Sequence, residues 1–371
     1  VQAKVKDIVS VMEKHFPLYL AEAWDNVGLQ LGSLDKDAER IMIALDLDEE
    51  ILEQALSKGV AMIITHHPLF FKPVKRIDLE TAEGKMIKKL IQEDITVYSS
   101  HTNLDAAQQG LNQLLAESLK LEKIEPLGQD KEEELFKLVV YVPSTHVHEL
   151  RQVINKAGAG HIGRYSDCSF RSLGRGTFKP EAGTNPHIGE AGRLEEVEEY
   201  RLETVAYKHE IPGIVNVMKE AHPYEEVAYD IYRLENQGKI FSLGRKGELK
   251  KAVNLRAYTD EVKKCLGVNT LRVVGNMNAL IKTVAVVSGS GASLINRVTD
   301  SGIDLFITGD LKYHEAKNAQ AMGLNIIDAG HQATEEIVTA YLCNLLAEES
   351  RARGFKADFI AAYSRPCFLD I

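Results

Sequence analysis

Four short segments of this chain repeat one arrangement, an apolar run that ends directly in His, Asp or Glu. They are MIITHHPLFF (62–71), TVYSSHTNLD (96–105), LFITGDLKYHEA (305–316) and NIIDAGHQATEE (325–336). Imidazole and carboxylate are ligands for zinc, iron or manganese. His66 and His67 are adjacent, and on a regular strand they would point to opposite faces. Where the chain turns at a strand end, they can instead serve two different metal ions, and Pro68 favours an extended link there. The alternative is a pair of solvent-facing loop histidines. Asp105 is either a hard oxygen ligand or a turn residue before a helix that begins near Gly110. His101 is a ligand, a partner behind a ligand, or a proton shuttle. His331 and Glu335 are four apart, which places them on one face if a helix runs through both. The two oxygens of Glu335 can then bridge paired cations about 3.5–4 Å apart. The competing arrangement is a cap by Thr334 that leaves Glu335 and Glu336 exposed. Asp310 either caps the helix after it or takes part in catalysis, with His314 and Glu315 in that helix's first turn. His101, Asp310 and His314 are the candidates for moving protons.

Two weaker features remain. Trp24 is the single tryptophan, in AEAWDNVGLQLG, and is either a cleft wall or a core or turn residue. SGSGAS (288–293) follows an apolar run and opens a helix, a turn that can cradle phosphate. It lacks the Lys-Ser/Thr ending of a Walker A loop, so a simple tight turn is the competing reading.

The elements that must position these groups alternate. Strand patterns are expected at 40–47, 61–65, 95–100, 283–291, 305–309, 325–330 and 359–363. Helical spacing falls at the N-terminus with Val5, Ile8, Val9 and Met12 on one face, after 47, at 82–93, 110–121, after 291, at 313–323 and at 334–349. This rhythm predicts an α/β fold, mostly parallel sheets with helices on both faces. In such sheets ligands bind beyond the carboxyl ends of the strands, where all four segments place their polar residues.

The middle differs. FKLVVYVP reads as an alternating strand and HVHELRQVINKAG as a helix. A Gly-rich, strand-poor stretch runs from Gly158 to Gly192. PGIVNVMKEAH (212–222) is a helix with Pro in its first turn, and AYDIYRLE (228–235) a strand. Two α–β pairings suggest a ferredoxin-like α+β insertion. The expected organisation is therefore 1–126 and 246–371 as two segments of one α/β domain, with 127–245 inserted.

The chain has 371 residues, 44% of them apolar, and a net charge of −10. That is enough for two or three domains at about 100–200 residues each. The acidic balance disfavours nucleic acid and anionic membranes. No apolar run is long enough to span a bilayer, and the N-terminal helix lacks the features of a secretory leader. The four cysteines form no CxxC pair, so reduced thiols and a cytoplasmic location are expected.

The segments AEAWDNVGLQLGS, ITHHPLFF, SSHTNLD, TGDLKYHEA and DAGHQATEE, in this order and spacing, closely resemble the Nif-three-like family, whose members are labelled homologues of a type 2 GTP cyclohydrolase I. GAGHIGRYSDCSF, GRGTFKP and HPYEEVAYDIY resemble the insertion of its longer, Bacillus-type members, which is similar to CutA and PII domains. The resemblance implies a dinuclear metal site with His66, His67, Asp105, His331 and bridging Glu335 as ligands. It also implies a homohexamer, a trimer of dimers with the sites facing an internal cavity. Zinc is the first expectation for the metal, with iron or manganese as alternatives. The expected function is a metal-dependent hydrolase acting on a nucleotide or other small substrate. The competing expectation is a non-catalytic, metal-dependent sensor or scaffold that works through the inserted domain.

Overall fold

The computed structural model describes residues 1–368, and contacts gather them into two compact units. One comprises Val1–Lys131 and Phe241–Ile371, the other Glu132–Ile240.

The larger unit is built on two sheets. In the first, the strands run Gly28–Leu31, Thr96–Ser99, Met62–Thr65, Arg40–Ala44 and Asp358–Ala361 across the sheet. The last four are mutually parallel, and Gly28–Leu31 lies antiparallel at the edge. Its central strands are apolar without alternation because both faces are covered. Ile41, Ile43, Met62, Ile64 and Tyr98 pack with helices Val5–His15 and Ile337–Ala352. Met42, Ala44, Ile63 and Val97 pack on the opposite side with helices Glu49–Ser57 and Ala82–Gln92.

The second sheet orders its strands Arg272–Val274, Asn325–Asp328, Leu305–Gly309, Leu280–Ser290, Arg245–Asn254 and Glu122–Pro126. Only the three central strands are parallel, and the flanking pairs are all antiparallel. The flanking strand Arg245–Asn254 is rich in Lys, Arg and Glu, so it carries no apolar run to reveal it. This sheet too is covered on both faces. Leu115, Leu255 and Val262 pack on one side, Ile295, Val298 and Ala319 on the other. Ile337 touches the apolar clusters of both sheets.

The smaller unit follows the succession strand Leu135–Pro143, helix Val147–Lys156, strand Ser169–Phe178, strand Glu195–Tyr207, helix Ile211–Ala221, strand Tyr229–Arg233. Its four strands are antiparallel in the spatial order fourth, first, third, second. The stretch expected to be strand-poor therefore holds a ten-residue strand, and Glu195–Tyr207 is a further strand without an apolar run. Ser169–Phe178 is an edge strand, exposed over most of its length, so no hydrophobic alternation marks it. Among the described residues the four cysteines are free, and no helix is long and apolar enough to cross a membrane.

Helices Val5–His15 and Ile337–Ala352 are tied together by Glu349. Lys14 Nζ and His15 Nε2 lie 3.0 and 2.9 Å from its Oε1. Hydrogen bonds from Lys14 and His15 bring the Glu349 carboxyl down to about 2, against the opposing effect of burial. A depressed pKa contributes stability above the ordinary carboxyl range that is lost as pH falls toward the folded value. Glu349→Gln is expected to lower the unfolding free energy at neutral pH by about 1–2 kcal/mol, a value reduced for solvent screening. Urea titrations at a series of pH values should show the difference shrinking from about pH 4.5 downward as the parent carboxyl protonates.

Candidate metal centre

The site lies where parallel strands of both sheets end. Met62–Thr65 delivers His66 and His67, and Thr96–Ser99 delivers His101 and then the short helix Thr102–Ala106 with Asp105. Leu305–Gly309 delivers Asp310, and Asn325–Asp328 leads through Gly330 into helix His331–Glu335. The turn after Met62–Thr65 is fixed by Thr65, whose hydroxyl is 2.7 Å from the His67 carbonyl and 2.8 Å from Ser99 Oγ. Gly330, at φ 87°, makes the turn that starts the last helix at His331. The long helix expected over 334–349 is thus two helices, His331–Glu335 and Ile337–Ala352, parted at Glu336. His331 and Glu335 both fall inside the first, with His331 Nε2 3.1 Å from Glu335 Oε2.

Four imidazoles share one orientation. His66 Nδ1 donates to the Ser100 carbonyl at 2.9 Å, and a carbonyl can only accept. His67 Nδ1 lies 2.8 Å from Asp46 Oδ1, His331 Nδ1 2.8 Å from Asp310 Oδ2, and His101 Nδ1 3.0 Å from Asp25 Oδ1. With Nδ1 engaged, each ring keeps Nε2 for the interior of the site. A carboxylate or carbonyl behind the ring is how proteins orient histidines that bind metal. The ligand atoms of His66, His67 and His101, and those of His67, His331 and Glu335, lie within 4.8 Å of one another. Nε2 of His67 and of His331 are 3.3 Å apart.

These residues fit a cation. His66 Nε2 and Glu335 Oε2 are buried and make no well-directed hydrogen bond among the described residues, although His67 and His331 Nε2 stand 3.2 and 3.1 Å from Glu335 Oε2. Leaving such atoms unsatisfied is costly unless something else engages them. Asp105 Oδ1 is 3.6 Å from His66 Nε2, with Ser288 Oγ 3.4 Å from the same oxygen. Burial raises the Asp105 carboxyl, and the nearby histidines oppose the shift. Burial would also raise Glu335, but the His331, His66 and His67 imidazoles hold it well below the usual range. Burial opposes protonation of His67, yet Asp46 and Glu335 outweigh it and lift its pKa to about 10. Glu335 is also the main cause lifting His331 to about 9.

The groups behind these imidazoles include residues that composition does not single out. Burial would raise Asp25, but hydrogen bonds from His101 and Thr102 lower it to about 2. Asp25 thereby both orients His101 and accepts from the Thr102 N–H at the start of helix Thr102–Ala106. Arg245 closes the other end of that helix, with Nη2 3.2 Å from the Ala106 carbonyl and 2.5 Å from that of Ala107. Burial lowers the Arg245 guanidinium to about 10, and Asp105 opposes the shift. Asp46 had a visible signal. It follows strand Arg40–Ala44 as the other site residues follow theirs, but extending that strand to 47 concealed it.

The remaining candidates fall elsewhere. Asp310 does not cap the helix after it. Lys312 is the N-cap of helix Tyr313–Ala321, and its N–H donates to Glu315 Oε2 at 2.7 Å. His314 is exposed on that helix with its ring 5.3 Å from Tyr313. Trp24 is 62% exposed, with its ring edge-on to His101 at 6.0 Å. The SGSGAS turn has its N–H groups already engaged. Ser288, Gly289 and Gly291 donate to Asn112 Oδ1, Thr334 Oγ1 and Thr308 Oγ1 at 2.7–2.9 Å. Its glycines serve closeness instead. A Cβ on Gly289 would stand 2.2 Å from Glu335 Oε1 and 3.1 Å from His331 Nε2.

A two-sheet α/β protein with a buried histidine–carboxylate cluster at its strand ends is the class these features define. The chain belongs to the Duf34/NIF3 (NGG1p interacting factor 3) family, whose description matches residues 3–366. It is 43% identical over 360 residues to a protein of Halalkalibacterium halodurans named GTP cyclohydrolase 1 type 2 homolog, covering 97% of this chain and 96% of that one. A Bacillus subtilis protein of the same name is 43% identical over 328 residues, 88% of each chain. Among solved structures, a Bacillus cereus protein related to NIF3 superposes with a TM-score of 0.93 at 40% identity, covering 100% of both chains. A Staphylococcus aureus protein superposes at 0.78 with 29% identity, covering 100% of this chain and 99% of that one.

Two outcomes are expected. Gly289→Ala should leave the circular dichroism spectrum intact and weaken metal binding by about tenfold or more, because the added Cβ displaces Glu335. Metal uptake at neutral pH should release protons, since His67 and His331 are protonated without metal and a ligand nitrogen must be free. Calorimetry in buffers of different ionisation enthalpy counts them, and about two per chain are expected at pH 7, falling toward zero above about pH 10.

Proposed function

We propose that this protein binds two divalent metal ions and is a metal-dependent hydrolase. One observation carries the reading: the two oxygens of Glu335 serve different partners. Oε1 is 3.8 Å from His66 Nε2, which is itself 3.6 Å from Asp105 Oδ1. Oε2 is 3.2 Å from His67 Nε2 and 3.1 Å from His331 Nε2. One ligand set is then His66, Asp105 and an oxygen of Glu335, and the other is His67, His331 and the second oxygen. Zinc suits this mixture of imidazole and carboxylate, as do iron and manganese. Two such ions supply Lewis-acid assistance to hydrolysis near neutral pH.

The chain's own residues do the rest. Asp310 and Asp46 hold His331 and His67 in the orientation that frees Nε2. Asp25 does the same for His101, which stands beside His66 and His67 and is placed to take up or return a proton at Nε2. The exposed rings of Trp24 and Phe71 lie 6.0 and 5.6 Å from that of His101 and offer apolar surface to a planar substrate. Together with the name carried by the relatives, this favours a nucleotide and a GTP-cyclohydrolase-like ring opening. The same reading includes a cytoplasmic homo-oligomer, a hexamer by resemblance. The exposed Phe170 and Leu173 on edge strand Ser169–Phe178 support self-association.

Elemental analysis of protein purified without chelator tests the site, beside His66→Ala and Glu335→Gln. About two metals per chain in the parent, with clear loss in both variants, is expected. Less than about half a metal per chain, unchanged by the variants and not restored by added zinc, manganese or iron, would overturn the site. Metal-loaded protein that turns over neither GTP nor a phosphoester, while a control enzyme does, would overturn the reaction.

A further inference from the structure

The smaller unit holds a cavity of about 500 Å³, a size typical of small-molecule sites. Two sequence motifs line it: GRGTFKP through Gly176, Phe178 and Lys179, and HPYEEVA through Tyr224, Glu225 and Glu226. Neither takes part in the metal centre. The cavity lies on the sheet face opposite the two helices. Leu202 and Ala206 of strand Glu195–Tyr207 pack with the helices, while Glu199, of the other parity, points away from them.

Glu199 is the unusual member. It is only 8% exposed on a central strand. Its hydrogen-bond donor is the Tyr224 hydroxyl, 2.9 Å from Oε1, and among the described residues no ammonium or guanidinium pairs with it. Its other oxygen lies so close to Gly176 that a Cβ there would stand 2.0 Å away, so the second glycine of GRG is what admits the carboxylate. A buried carboxylate without a cation is costly and calls for a compensating charge. The surrounding walls are aromatic. Phe178 and Tyr224 lie 5.8 Å apart by ring centroids, the His187 ring is 6.2 Å from that of Tyr224, and Tyr141 also lines the cavity. Glu181, Glu225 and Glu226 add three exposed carboxylates, against Lys179 as the single ammonium among the described lining residues.

We propose that this cavity binds a small organic cation, a primary amine or guanidinium carried on an apolar body, with the charge at Glu199 and the body between Phe178, Tyr224 and Tyr141. Aromatic faces attract cations as well as apolar surface, and a carboxylate at the base selects for charge. An anion of the same shape meets four carboxylates and is rejected. This inference does not depend on the metal centre.

Calorimetric titration of the full chain with phenethylamine and agmatine tests it. Phenethyl alcohol and phenylpropionate serve as neutral and anionic controls. Saturable binding of at least one cation is expected, with both controls weaker by about tenfold or more. Glu199→Gln should weaken cation binding by at least a similar factor while metal content stays unchanged. Glu226→Gln, at an exposed position that does not endanger folding, should weaken it about two- to fivefold and decides the matter if Glu199→Gln fails to fold. Absence of saturable binding by either cation, equal binding of the alcohol, or cation affinity untouched in the folded variants would overturn the proposal.

Discussion

A carboxylate buried among three imidazoles is the constraint from which the larger unit is organised. Glu335 has almost no access to solvent, and only groups that carry positive charge can keep it ionised there. His67 and His331 supply that charge as imidazolium when no metal is bound, with the His66 ring beside them. The same carboxylate dictates the backbone around it. Gly289 must lack a side chain to let it in, and Gly330 must adopt a positive φ so that the helix carrying it starts at His331. Ser288 to Gly291, which look from composition like a phosphate-binding turn, are instead bonded to Asn112, Thr334 and Thr308. The glycine-rich sequence records the closeness of a neighbouring side chain rather than a ligand.

Around this centre the sheet architecture and the chemistry are the same fact. Parallel strands bury both faces and leave only their ends for polar residues. Each strand end therefore contributes one or two groups, and no single segment can assemble a ligand set alone. Rigidity comes from behind. Asp25, Asp46, Asp310 and the Ser100 carbonyl each hold an Nδ1, so the Nε2 atoms converge without freedom to turn away. Arg245 and Asp25 pin the two ends of a five-residue helix too short to be stable by itself, and Asp105 inherits its position from them.

Much of this could be read from the chain before folding, and the reasons for the rest are physical. His66, His67, His101, Asp105, His331 and Glu335 stood out because they lie at or shortly after the ends of strand patterns, and the ordered motifs that hold them resemble those of the family. Asp25 did not stand out, because an acidic residue in a loop is common and only its distance to an imidazole distinguishes it, whereas Asp46 follows its strand like the others but falls within the strand expected over 40–47. Strands packed on two faces announced themselves. Ser169–Phe178 and Glu195–Tyr207 did not, since one is exposed along its length and the other interleaves glutamates with few buried residues. The antiparallel flanks of the six-stranded sheet were hidden for the same reason, in a strand made largely of Lys, Arg and Glu. His314 shows the reverse case. A histidine near a strand end is placed by the turn that follows, and here the turn sends it to the surface.

The edge strands of the two sheets are exchanged between distant parts of the chain. Asp358–Ala361 completes the first sheet beside Arg40–Ala44, while Glu122–Pro126 completes the second beside Arg245–Asn254. During synthesis the open side of the first sheet waits through more than 300 intervening residues before it is covered, and an uncovered apolar strand is a template for pairing with other chains. The topology thus makes strand Asp358–Ala361 a closing latch. The first sheet is sealed by a strand made long after the segments that carry its histidines.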